Sequence, residues 1–229
     1  MDELLEVCKA VYEKTGVKAY FNTSYYVARI EGMNMFTADG KSVELTAEAL
    51  ARYYEVYRTG MDEGYFIGVD DPIKESYDAN LTDKVYWCLF DHTNQVENLE
   101  TKTGMDLGLF ALPADTETAP SYMKPSMLWS VNAKSENPDL AIAFLNYFVN
   151  EQTTYDLCGM DRGMPISTEM RAKLEPTLNA SQKKVSDFLA FLEDGHVSPC
   201  NVIEPSKASE ARKVYNDSLE QITYNLVAK

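Results

Sequence analysis

The sequence predicts a helix-rich α/β chain, and three kinds of observation predict it. Apolar residues recur at helical spacing in several long segments, most of them bounded by recognisable caps and stops. Between them lie short β-prone runs at 17–21, 85–90, 107–112 and 127–132. An Asp39-Gly40 pair sits between the apolar runs Met33–Phe36 and Ser42–Leu45, a strong short-range hairpin signal.

In chain order, residues 2–15 place Leu4, Leu5, Cys8, Val11 and Tyr12 on one helical face, with Asp2 as the expected cap and Gly16 as the left-handed stop. Thr46 is expected to cap a second helix that buries Ala47, Leu50, Tyr53, Tyr54 and Tyr57 and stops at Gly60. A short helix near 72–79 precedes Val85–Phe90, and Asp91-His92-Thr93-Asn94 turns into a helix ending at Gly104. Leu107–Leu112 reads as a strand stopped by Pro113, and Met127–Asn132 as another. Asn137-Pro138 then opens a helix over 139–149 in the preferred cap and first-turn order. That helix carries Leu140, Ile142, Phe144, Leu145, Tyr147, Phe148 and Val149, so it is apolar nearly all round and needs cover on several sides. Helices near 151–158 and 167–174, one around Val185–Leu192 and a final one over about 206–227 complete the pattern. There is no internal repeat, and the elements do not form a regular βαβ series.

Composition narrows the function. The 229 residues are 45% hydrophobic and 25% charged, which is globular and long enough for one to two domains. With 36 acidic and 21 basic side chains the formal net charge is −15, which repels phosphate backbones and anionic lipid. Nucleic acid is therefore not an expected partner, and a neutral or cationic ligand fits better. No apolar run approaches the roughly 20 residues of a membrane helix, and residues 1–15 lack the pattern of an export signal. Cys8, Cys88, Cys158 and Cys200 stand far apart, and with only His92 and His196 beside them a metal site is not expected. Isolated cysteines of this kind usually pack as small apolar residues, although disulfides remain open.

The chain holds no G-x-S-x-G elbow, P-loop, G-x-G-x-x-G or H-E-x-x-H, so no catalytic residue and no cofactor is expected. Paired carboxylates for a glycosidase can always be nominated among 36 acids, so they carry no information. Fifteen tyrosines and two tryptophans are more suggestive. Aromatic platforms rimmed by amides and carboxylates suit the flat faces and hydroxyl edges of sugars, and 22–26, 87–94 and 124–129 have that mixture. The competing account is that tyrosines stripe helices as core.

The segment Lys124-Pro125-Ser126-Met127-Leu128-Trp129-Ser130-Val131-Asn132-Ala133-Lys134-Ser135-Glu136-Asn137-Pro138-Asp139-Leu140-Ala141 tips the balance. It resembles the strand, "K-S-x-N-P-E-x-A" turn and "A-x-x-F-x-N-F" helix of extracellular solute-binding proteins of ABC-type carbohydrate importers, the family that includes maltose-binding protein. Arg162-Gly163-Met164-Pro165-Ile166-Ser167 is similar to that family's "R-G-x-P-x-S", Asp2-Glu3-Leu4-Leu5 to its "T-W-D-E-L" and Thr37–Lys41 to its "N-x-D-G-K". Leu107–Pro113 resembles "G-V-A-P-L-P". No one motif is sharp, but they fall in the family order over nearly the whole chain.

The resemblance implies a helix-rich, periplasmic-binding-protein-like (type II) α/β lobe with short mixed strands, the first lobe being largely missing. Whole members have two lobes joined by crossing strands, hold a sugar between them and deliver it to a membrane permease. Matched to that pattern, residues 1–112 and 173–229 form the carboxyl-terminal lobe, and 113–172 is the segment that would complete the amino-terminal one. The export signal and lipid-bearing cysteine of an extracellular lipoprotein would then precede Met1. The helix at 139–149 would be left without its lobe and would pack elsewhere in the chain or on a second copy by self-association. The resemblance also nominates ligand contacts at Tyr25, Tyr26, Asp91, His92, Asn94, Trp129, Ser209 and Glu210, with Asn22 and Arg29 nearby. For His92 a surface or capping role is the alternative, for Trp129 a core position, and for Ser209 and Glu210 a plain helix cap. Relatives often carry Trp or Tyr where Asp91–Asn94 stands, and this chain does not. The expected function is binding of a sugar or oligosaccharide without catalysis; a carboxylate-pair hydrolase and a non-binding interaction module are the rivals. Four N-x-S/T sequons, at Asn22, Asn80, Asn179 and Asn216, are read as chance.

Overall fold

A computed structural model describes residues 1–229 apart from 22–25, 126, 161, 201–203, 225 and 227–229. Among the described residues nine α-helices run in chain order: α1 Asp2–Thr15, α2 Ala47–Asp62, α3 Tyr77–Thr82, α4 Val96–Thr103, α5 Pro138–Asn150, α6 Gln152–Cys158, α7 Thr168–Leu174, α8 Ala180–Glu193 and α9 Ala208–Thr223. None is long and apolar enough to cross a membrane. The chain divides into two compact units. One comprises 1–90, 110–123 and 192–229, the other 91–109 and 124–191.

The first unit is built around a short three-segment parallel ladder. Ala19 donates its N–H to the Tyr65 carbonyl at 2.8 Å and accepts from Ile67 at 3.0 Å, while Lys18 and Tyr20 pair on the other side with Trp87 and Cys88 at 3.0 and 3.2 Å. The expected strands at 17–21 and 85–90 are therefore real, though reduced to single bridges. The hairpin also forms: Phe36 bridges antiparallel to Val43, and Gly40 takes the left-handed φ of 67° that the Asp-Gly turn requires. Over this ladder pack Phe21, Val27, Ile30, Tyr53, Val56, Phe66, Tyr215 and Leu219. Helices α2 and α9 meet through Tyr53, Tyr54 and Tyr215, with the Tyr54 hydroxyl donating to the Tyr215 carbonyl at 3.2 Å and Arg58 to that of Ile222 at 2.7 Å.

Most helix punctuation follows the sequence. Gly16 and Gly104 close α1 and α4 in left-handed conformations, Thr46 caps α2 by accepting from the Ala49 N–H at 3.2 Å, and Pro138 occupies the first turn of α5. The departures have local reasons. Asp2 does not cap α1; its carboxylate reaches Arg52 at 2.7 Å, an ion pair between helices. Gly60 does not stop α2, which runs on to Asp62. It is there because a Cβ at this position would sit 2.3–2.7 Å from the buried Phe66 ring. The helix expected near 72–79 starts later, behind a Ser76 cap, and α9 ends at Thr223 with Val214 exposed. The expected strands at 107–112 and 127–132 form no ladder with the described residues, because no second strand lies alongside. Asn80, in one of the sequons, is buried and holds Lys74 and Ser76 through three hydrogen bonds of 2.8–2.9 Å.

Arg29 is a buried cation of this unit, 2% exposed. Its Nε donates to the Pro120 carbonyl at 2.9 Å, Nη1 to Met33 at 3.1 Å and Pro199 at 3.4 Å, and Nη2 to Ala119 at 3.3 Å and to the Ser198 hydroxyl. The Tyr122 ring lies 6.0 Å away across the guanidinium. A buried cation is tolerated only when its donors are matched, and here one side chain ties the turn at 28–34 to two returning loops.

The second unit has a smaller core of Val96, Leu99, Met170, Leu174 and Val185. Helices α4 and α8 are joined by polar contacts: Glu100 accepts from Lys184, from the Ser181 hydroxyl and from the Leu107 N–H at 2.8 Å. Partial burial pushes the Glu100 carboxyl upward, but these donors outweigh it and hold it below the usual carboxylate range.

Two substitutions test these contacts. Arg29→Ala orphans several buried acceptors at about 1 kcal/mol each, so urea unfolding is expected to show a loss of about 3 kcal/mol or more. A loss below about 1 kcal/mol would show that water replaces the guanidinium. Gly60→Ala improves helix propensity by about 1 kcal/mol yet is expected to lower stability by about 1–3 kcal/mol, because Phe66 must shift in a packed core. A stabilised G60A chain in the same measurement would contradict the close approach.

Candidate functional site

Asp91, His92, Asn94 and Trp129 belong to the second unit, and Tyr26, Ser209 and Glu210 to the first. Tyr25, like Asn22, lies outside the described residues.

The turn ahead of α4 is set by a short side-chain bond. The Asp91 carboxylate accepts the His92 N–H at 2.6 Å, its oxygen lies 3.5 Å from His92 Nδ1, and His92 occupies the cap position of a 3-10 turn over Thr93–Gln95. This places Asn94 on the rim of a hollow between α4, α8 and the loop around Gly163, with Glu97, Gln182, Met160 and Met164 also lining it. Glu97 is already occupied: Asn179 donates to it at 2.6 Å and the Gln182 amide at 3.1–3.2 Å. The hollow encloses about 20 Å³, room for about one water. It can hold a single hydroxyl against amides and thioethers, not a sugar ring. Glu97 and Gln182 escape sequence reasoning because they stand 85 positions apart on helices whose packing no local pattern announces.

Trp129 is 54% exposed and meets Phe148 of α5 edge to face at 4.9 Å, with Phe144 tilted against Phe148 at 5.9 Å. Among the described nominated residues, this is the one with a large aromatic face open to solvent. Its neighbours on α5 are equally open. Leu140, Ile142 and Phe144 are 70%, 57% and 58% exposed, and no described residue of that helix is buried.

In the first unit, Tyr26 is packed rather than presented. It stacks on Phe90 at 5.1 Å, meets Phe21 edge to face at 5.9 Å, and donates its hydroxyl to the Pro113 carbonyl. Burial drives its phenol well above the ordinary range, so it stays protonated. Ser209 and Glu210 lie exposed in the first turn of α9, where Glu210 approaches Lys207 at 3.7 Å; the cap position itself is Lys207. No group of His, Cys, Asp or Glu among the described residues is arranged to hold a metal ion. The nominated side chains that are described offer an aromatic face at Trp129 and polar groups at Asp91, His92, Asn94, Ser209 and Glu210.

The fold matches solved structures over nearly all of this chain. An extracellular solute-binding protein family 1 member from Alicyclobacillus acidocaldarius superposes with a TM-score of 0.80 at 20% identity, covering 99% of this chain and 60% of that one. A periplasmic oligogalacturonide-binding protein from Yersinia enterocolitica gives 0.71 at 14% identity, covering 99% and 61%. The same protein in complex with saturated digalacturonic acid gives 0.72 at 15% identity. The chain therefore spans about 60% of the length of the solved structures it matches, and corresponds to part of their periplasmic-binding-protein-like fold. Residues 1–185 match the family model described as bacterial extracellular solute-binding protein, and the chain belongs to that family.

Proposed function

We propose that this chain is part of a carbohydrate-binding component of an ABC-type importer, acting at the outer face of the cell membrane or in the periplasm and handing its ligand to a membrane permease. The observation that carries the reading is the family match over residues 1–185, supported by a neighbour solved with a digalacturonic acid. In this reading 1–112 and 173–229 form the carboxyl-terminal lobe, 113–172 belongs with the amino-terminal one, and the whole protein is a lipoprotein. Binding makes and breaks no bond, so the protein is not an enzyme. Of the nominated contacts, the second unit offers the Trp129 stacking face with Asp91, His92 and Asn94 as polar groups, and the first unit separately offers Ser209 and Glu210. Tyr25 and Tyr26 complete the nominated set, Tyr26 from a buried position.

Charge chooses among sugars. A formal −15 repels a polyanionic galacturonide, so a neutral oligosaccharide is the better ligand. The hollow beside Asn94 holds about one water, so this chain alone is expected to bind neutral oligosaccharides with Kd weaker than about 1 mM in titration calorimetry, and W129A to weaken it further. Micromolar affinity for the isolated chain, or tighter binding of digalacturonic acid than of neutral sugars, would count against this assignment. Release of chromophore from aryl glycosides would favour the hydrolase instead.

The uncovered α5 face makes a second copy of the chain its partner in solution. Sedimentation is expected to show concentration-dependent self-association that the triple variant L140Q/I142Q/F144Q abolishes, together with lost binding of an apolar dye. A wild-type monomer that binds no dye would refute the self-association.

A further inference from the structure

The dipeptide Asp-Gly occurs twice in this chain, at 39–40 and at 194–195, and the fold treats the two differently. Both aspartates are exposed, and both glycines take left-handed φ, 67° at Gly40 and 89° at Gly195. At the first pair the carboxylate and the following amide are both engaged. The Asp39 carboxylate accepts the Thr37 hydroxyl at 2.8 Å and the Lys41 N–H at 3.1 Å, and the Lys41 ammonium lies 3.6 Å away. The Thr37 hydroxyl first, then the Lys41 amide, hold this carboxyl below the usual carboxylate range. The Gly40 N–H donates to the Thr37 carbonyl at 2.9 Å. The second pair follows directly on α8, where the His196 N–H returns to the Leu192 carbonyl at 2.9 Å. No described residue forms a hydrogen bond or ion pair with the Asp194 carboxylate. Nothing lies within 4 Å of the place a Cβ on Gly195 would occupy, so the turn has room to rearrange.

We propose that Asp194-Gly195 is a site of spontaneous backbone isomerisation that loosens the clasp around Arg29, and that the turn at 37–41 protects Asp39-Gly40 from the same reaction. The Gly195 nitrogen bonds to the Asp194 side-chain carbonyl carbon and gives up its proton, while that carbon loses its hydroxyl; the two leave together as water. The product is a five-membered succinimide. Water then adds at either ring carbonyl. Opening at the side-chain carbon restores aspartate, and opening at the main-chain carbon leaves the backbone running through the side chain as isoaspartate. Water leaves and water returns, so no co-reactant is needed. At Asp39 the same ring cannot close until the carboxylate and the Gly40 amide have both released their partners. Isoaspartate lengthens the main chain by a methylene just ahead of two Arg29 partners, the Ser198 hydroxyl and the Pro199 carbonyl at 3.4 Å. Ser198 also donates its hydroxyl to the Ala119 carbonyl at 2.6 Å and its N–H to that of Ser121 at 3.1 Å, so the displaced segment is one that holds the returning loop.

The test is peptide mapping of the folded chain aged at neutral pH, with isoaspartyl carboxyls marked by an isoaspartyl methyltransferase. Because several bonds must break first at Asp39, isoaspartate at 194 is expected to exceed that at 39 by about tenfold or more. Ageing in urea removes the turn, and there the two sites are expected to convert at similar rates. Asp194→Glu, which would need a larger ring, should stay unmodified at 194, and Thr37→Val should raise conversion at 39. The fraction carrying isoaspartate at 194 is expected to unfold at lower urea than the fresh chain. The proposal is overturned if the aged folded chain carries no isoaspartate at 194, or if 39 converts as fast as 194. It is equally overturned if urea leaves their ratio unchanged, or if the modified fraction unfolds together with the fresh chain.

Discussion

A guanidinium shut away from water dictates how much of the first unit is arranged. Arg29 follows a tight turn at 26–28 and spends its donors on carbonyls from 33, 119, 120 and 199 and on the Ser198 hydroxyl. All but the Met33 carbonyl come from stretches that are distant in sequence. Without the side chain, the loops at 119–122 and 198–199 would present several carbonyls to a dry interior, a larger penalty than a typical helix cap is worth. The returning loops and the Tyr26–Phe90 stack beside them inherit their positions from this one residue.

How much of this was legible beforehand varies with the range of the interaction. Caps and stops at Thr46, Gly16, Gly104 and Pro138 are local events, and the chain announces them. Gly60 looks like a stop because glycine usually is one after such a helix; only the nearness of Phe66 reveals it as a gap left for a ring. Asp2 looks like a cap, yet the Arg52 guanidinium on another helix outcompetes the backbone. The β-prone runs at 107–112 and 127–132 have the composition of strands, but a strand is a property of two edges. For the candidate site, the turn at Asp91–Asn94 was readable from its motif, whereas Glu97 and Gln182 converge only through helix packing. Arg29, nominated beside the cleft, is structural.

The tyrosines show how composition misleads. An aromatic fraction of 11% suits sugar recognition, but Tyr26, Tyr53, Tyr57, Tyr65, Tyr86 and Tyr215 are buried in the first unit. They give that core its stacked and edge-to-face geometry, and burial raises the phenols of Tyr26, Tyr57, Tyr65 and Tyr215. Open aromatic surface occurs instead at Trp129 and on α5, at Phe144 and Tyr147, and at Phe110.

The tryptophans are divided in the same way. Trp87 leans against the core of the first unit, and Trp129 stands in the second with much of its indole in water. Each unit thus carries its own intrinsic fluorophore, one in an apolar setting and one in a wet one. Emission colour and quencher access separate the two signals, so loosening of either unit is visible on its own, with no label added.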